Sequence, residues 1–100
     1  MRNPDTTSGG RSFDEATISA VWNKGQVAAG NDPNVWRKDA CTAFMKRSAH
    51  GDTTSRYGWE VDHIKPVAKG GGDELGNLQP LQWQNNRAKG DGPLACAVRA

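Results

Sequence analysis

Cysteine is scarce in this chain, with one at position 41 and one at 96. No CxxC pair exists, so a four-ligand zinc site has no support. The spacing does not say whether the two pair; two reduced, partly buried thiols are the expectation, since burial is the usual fate of a free cysteine. Long apolar runs are also missing, and with them any membrane-spanning helix. The start, Met1 to Arg11, is polar and rich in Gly, Ser and Thr, without the apolar stretch of a secretory signal. A soluble, cytoplasmic protein is therefore expected. Hydrophobic residues make up only 35% of the 100 residues, and a chain this short buries a modest core and fits one domain. Charge of one sign is not dominant either. The net charge of +2 is too small to mark a protein that coats nucleic acid by charge alone.

What is present is loop-forming and locally patterned. Twelve glycines indicate short elements joined by turns. Residues 1–11 read as a disordered leader. Ser12 with Glu15 forms an S-x-x-E capping pattern. Ile18, Val21 and Trp22 follow at helical spacing, and Gly25 supplies a stop, which predicts a helix over Phe13–Lys24. Val35–Arg47 reads equally as strand or short helix, and Ser48–Arg56 as a polar loop. Trp59–Ile64 alternates in polarity and carries β-branched and aromatic residues, so it reads as a strand. A Gly-rich connection, Lys65–Gly76, leads to a second strand over Leu78–Gln82. Pro80 confines that strand to an edge, as in a two-stranded hairpin. Trp83–Lys89 predicts a short helix ended by Gly90.

Asp62 and His63 place a carboxylate beside an imidazole, and Asn86 follows 24 residues after Asp62. Hydrolysis of a phosphodiester requires a group that takes a proton from water near neutral pH, which histidine can do. It also requires stabilisation of charge on phosphoryl oxygens, for which a hard cation with oxygen ligands is suited. Neighbouring residues on a regular strand point to opposite faces. Asp62 and His63 can share one site only if the strand ends or bulges there, and Pro66 fits an end nearby.

The blocks Asp62-His63-Ile64-Lys65-Pro66, Gly70-Gly71-Gly72-Asp73, Asn77-Leu78-Gln79-Pro80-Leu81 and Asn85-Asn86-Arg87-Ala88-Lys89-Gly90-Asp91 occur in that order. Together they resemble the HNH endonuclease family. The resemblance implies an α+β chain with a small ββα-metal (HNH/His-Me finger) fold plus an additional N-terminal helix. It implies a nuclease domain over 12–95, with a core motif at 57–91 and a tail at 96–100. It further implies His63 as general base and Asp62 and Asn86 as ligands of one divalent ion. Asn77 matches the remaining catalytic-motif position, whose side chain ties the hairpin loop and takes no part in the chemistry.

Many relatives carry histidine where this chain has Asn86. The amide oxygen favours Mg2+, with Mn2+ or another divalent ion as alternatives. The zinc knuckles of many relatives are missing, so contacts of Trp22, Trp36, Trp59 and Trp83 are expected to hold the motif. The implied partner is nucleic acid, DNA ahead of RNA, met by Arg87, Lys89, Lys65 and Lys69, with a second patch from Arg37, Lys38, Lys46 and Arg47. The alternative is an HNH-like module that binds nucleic acid without cutting it. Asp73 and Glu74 read as solvent-facing turn residues, and His50 as a loop residue. Oligomeric state is open.

Overall fold

Asp14 opens the first helix. Its side chain accepts a hydrogen bond from the Thr17 amide at 2.8 Å, which satisfies one of the donors left without a partner at a helix start. In the computed structural model, which describes residues 2–100, this helix is α1 (Glu15–Trp22). The expected capping pair does not form. Ser12 instead bridges to Thr6, and Glu15 turns to Arg47. Ile18, Val21 and Trp22 are all buried, as the helical spacing requires.

Val35–Arg47 resolves into a hairpin of β1 (Trp36–Lys38) and β2 (Phe44–Lys46), paired Trp36↔Lys46 to Lys38↔Phe44. Asp39 makes the turn. Its buried Oδ1 accepts from the amides of Cys41 and Ala43, both at 2.9 Å. Its Oδ2 accepts from the Gln82 amide and from Asn85 Nδ2. One carboxylate thus fastens this hairpin to the second half of the chain.

That half contains β3 (Trp59–His63), β4 (Leu78–Gln82) and α2 (Trp83–Lys89). β3 and β4 are antiparallel, in register from Trp59↔Gln82 to His63↔Leu78. Pro80 stands opposite Val61 and is tolerated because a two-stranded sheet has a free edge on each strand. The Gln82 side chain caps α2 by accepting from the amides of Gln84 and Asn85. The chain is therefore a small α+β fold with two helices and two separate two-stranded sheets.

The core lies between α1 and the inner face of β3–β4, and joins Ile18, Val21, Trp22, Met45, Trp59, Val61 and Leu78. The Trp22 and Trp59 rings meet at 5.2 Å between centroids. Trp36 and Trp83 are only half-buried, so the four tryptophans do not form one cluster.

Cys41 and Cys96 form a disulfide, which corrects the expectation of two reduced thiols. The C-terminal tail folds back over α2, where Val98 exchanges hydrogen bonds with the Asn85 side chain at 2.7 and 2.8 Å. This long-range return brings the sulfurs together across 55 residues.

Residues 2–11, read from the sequence as part of a disordered leader, make defined contacts; Met1 lies outside the described residues. The Arg2 guanidinium donates to the carbonyls of Thr6, Thr7 and Ser8. Asp5 Oδ1 accepts from the Val61 amide at 2.7 Å, on the free edge of β3. Among the described residues, no helix is long and apolar enough to cross a membrane.

Candidate functional site

β3 distributes its side chains by simple alternation. Glu60 and Asp62 face α2, where they meet Asn86, Arg87 and Lys89. Trp59 and Val61 face the core. His63 is the last residue of the strand, and its ring lies 6.0 Å from that of Phe13. Asp62 and His63 nevertheless both line one cavity, of about 430 Å³, although β3 keeps its register through both residues, without the end or bulge expected between them. Asn86 and Arg87 line it from α2, and Asp5 and Thr6 from the N-terminal segment.

Asp62 is buried. Its Oδ2 accepts from Gln79 Nε2 at 3.0 Å, and its Oδ1 lies 3.4 Å from Lys89 Nζ. Burial pushes its carboxyl above the ordinary carboxylate value, against the hydrogen bond from Gln79 and the charge of Lys89.

Lys89 was expected to meet phosphate. It is instead buried, with a side chain only 2% exposed, and Nζ donates to the His63 carbonyl at 2.9 Å. It therefore reaches no external partner. Asn86 and Lys89 are three residues apart, which puts both on the inner face of α2.

Asn86 donates from Nδ2 to Glu60 Oε1 at 2.9 Å. Among the described residues its Oδ1 accepts no hydrogen bond, so that oxygen is left to the cavity. Arg87, half-exposed, donates to Glu60 from both Nε and Nη2. That hydrogen bond raises the guanidinium pKa further.

The loop between the strands is held by Asn77. Its Oδ1 accepts from the Lys65 amide at 2.8 Å, and its Nδ2 donates to the carbonyls of Lys65 and Gly72. Gly71 passes so close that an added Cβ would lie 1.8 Å from the Lys65 carbonyl oxygen, which only glycine avoids. Lys65 and Lys69 project from this loop and are exposed.

Asp73 is not a free turn residue. Its Oδ1 lies 2.8 Å from His63 Nε2, and it also accepts from the amide and hydroxyl of Ser8. Burial works to raise its pKa, but the hydrogen bonds from His63 and Ser8 prevail and hold it below the ordinary value. No local pattern announces this contact. Glu60, by contrast, was legible: it stands two residues before Asp62, hence on the same strand face. His50 is not among the residues lining the cavity, but it pairs at 2.7 Å with Asp5, which is.

The second basic patch divides. Arg37 is spent on the carbonyls of Pro33, Asn23 and Gly25, and Arg47 pairs with Glu15. Lys38 and Lys46 lie over the rings of Phe44 and Trp36.

A family model described as HNH endonuclease matches residues 41–92. No curated protein and no solved structure matches this chain.

Proposed function

The chain belongs to the HNH endonuclease family, and on that premise we propose that it is a metal-dependent endonuclease that hydrolyses phosphodiester bonds of nucleic acid, DNA in preference to RNA. The observation that carries this reading is the meeting of Asp62, His63 and Asn86 at one cavity. The reading treats 12–95 as one nuclease domain, with β3, β4 and α2 as its ββα-metal core and α1 as the addition.

The donor set fits a hard divalent ion. Glu60 engages the nitrogen end of the Asn86 amide and leaves its oxygen free toward the cavity that Asp62 also lines. Among the described residues no group of three or more His, Cys, Asp or Glu gathers to hold a metal. Two protein oxygens, with water and phosphate completing the shell, suit Mg2+ and then Mn2+. Held by Asp62 and Asn86, such an ion would stabilise the charge that builds on the phosphoryl and leaving oxygens.

His63 takes the proton of the attacking water. Lys89 holds the His63 carbonyl and offsets part of the burial cost of the Asp62 anion. Arg87 borders the cavity and is anchored by Glu60, so it can meet a phosphate with a fixed guanidinium. Lys65 and Lys69 add exposed positive charge on the loop beside it. Contacts of this kind give salt-sensitive binding with little sequence preference.

A cytoplasmic location, the expectation from sequence, competes with the Cys41–Cys96 bridge. Disulfides persist mainly in oxidising compartments, and we take the bridge as the stronger sign.

The test is digestion of supercoiled DNA, single-stranded DNA and RNA with Mg2+ or Mn2+, using chelator and His63→Ala as controls. Cutting that needs the metal and His63 is the expected result. Equal cutting by His63→Ala would remove His63 from the mechanism. Binding without turnover would favour the non-cutting module.

A further inference from the structure

We propose that Asp73 is the positioning residue for His63: it accepts the Nε2 proton and so leaves Nδ1 as the basic nitrogen. This inference rests on the nuclease reading above for its role in the reaction.

The argument begins from donors and acceptors. An ionised carboxylate can only accept, and a neutral imidazole carries its proton on one nitrogen alone. A contact of 2.8 Å between His63 Nε2 and Asp73 Oδ1 therefore requires that proton to be on Nε2. The lone pair then belongs to Nδ1. A ring free to exchange tautomers would present the correct nitrogen only part of the time, and fixing it is what an orienting carboxylate does for a histidine base.

The carboxylate is itself held. Ser8 donates to Asp73 from its backbone amide and from its hydroxyl, each at 2.8 Å. Its other fixed point is the loop, where the Asn77 side chain binds the Gly72 carbonyl next to Asp73 in sequence. The Phe13 ring stands 6.0 Å from the imidazole and limits its rotation from the core side. The chain Ser8–Asp73–His63 thus ties the N-terminal segment to the β3–β4 hairpin across 65 residues, and only its last member lines the cavity.

The experiment compares the full chain with Asp73→Asn, Asp73→Ala and Asp73→Glu. Imidazole tautomers are read by nitrogen-15 NMR on metal-free protein, and cleavage by steady-state kinetics. Wild type is expected to show His63 protonated at Nε2, and Asp73→Ala a mixture of the two neutral forms. In Asp73→Ala, kcat is expected to fall about tenfold to a hundredfold, within the roughly 10²–10⁴ that a general base supplies, with KM nearly unchanged. Asp73→Glu should recover part of the loss and Asp73→Asn little of it.

Retention of the single Nε2-protonated form in Asp73→Ala would overturn the proposal, and so would a loss confined to KM. Should Asp73→Ala unfold, Asp73→Leu, similar in shape but unable to accept a hydrogen bond, carries the same two readouts. Wild-type protein inert toward every nucleic acid would instead sink the nuclease reading, and the tautomer measurement would still decide the His63–Asp73 pairing.

Discussion

The Asn86 amide donates to Glu60 Oε1 at 2.9 Å, which determines the end of the amide that meets the cavity. An amide has one donor end and one acceptor end. With the donor end engaged by a buried carboxylate, the oxygen is presented without the entropy cost of choosing between two flips. Glu60→Gln weakens this selection and also leaves Arg87 without its ionic partner. The expected outcome is a divalent-ion affinity lower by about 10–100-fold, the usual effect of removing a group that orients a ligand. Calorimetric titration with Mn2+ measures it. An unchanged affinity would show that Asn86 does not need Glu60.

Lys89 and Asp62 form a buried pair whose side chains are 2% and 7% exposed. Removing one member of such a pair leaves the other charged, buried and alone, at a cost of roughly 3–5 kcal/mol. Lys89→Met should lie toward the lower end of that range, since Gln79 still donates to Asp62. The double variant Lys89→Met/Asp62→Asn should regain most of the stability while losing metal-dependent cutting. Urea denaturation of the four proteins supplies the comparison. Additive losses in the double variant would mean that the two side chains act independently.

Local periodicity made β3, β4 and α2 legible, because alternation and helical spacing are properties of short windows. Asp62, His63 and Asn86 became candidates through the ordered motif blocks that resemble the HNH family, not through periodicity. The short windows also held two facts not drawn from them: Glu60 shares a strand face with Asp62, and Lys89 shares a helix face with Asn86. Arg87, one residue on from Asn86, is the outward member instead. Asp73 and Asp5 were beyond reach for another reason. Asp73 meets His63 through the folding of a 14-residue connection between strands, and Asp5 caps the Val61 amide from 56 residues away. Closures of that length depend on the whole fold and leave no mark on spacing. The Cys41–Cys96 bridge is of the same kind.

Acid stability provides a test of the Asp73 contacts that needs no substrate. Its folded-state pKa lies below the ordinary carboxylate value. A group depressed on folding contributes stability above its unfolded pKa, near 3.9, and loses it as pH falls through the folded value. Wild type should therefore exceed Asp73→Asn in stability at neutral pH, and the gap should close below about pH 3.9. The side chain is 37% exposed, so solvent screening keeps the gap below about 1 kcal/mol. Thermal melts across the acid range follow it. A gap that widened toward low pH would contradict the assigned hydrogen bonds.

The disulfide should matter to stability far more than to chemistry. Cys41 and Cys96 are separated by 55 residues, and the chain-entropy estimate for a loop of that size is about 4 kcal/mol. For a domain of this length the corresponding fall in Tm is on the order of 15–30 °C. The bridge sits at the hairpin turn made by Asp39, whose other oxygen holds the start of α2. Those hydrogen bonds and the Val98–Asn85 pair do not require the sulfurs, so the cavity should keep its shape while the chain remains folded. Cys41→Ser/Cys96→Ser is therefore expected to melt much lower, yet to cut with an unchanged kcat well below its new Tm. Scanning calorimetry and plasmid digestion separate the two effects. A full loss of cutting in a demonstrably folded variant would place the bridge in the chemistry, and a Tm within a few degrees of wild type would mean that the tail is fastened without it.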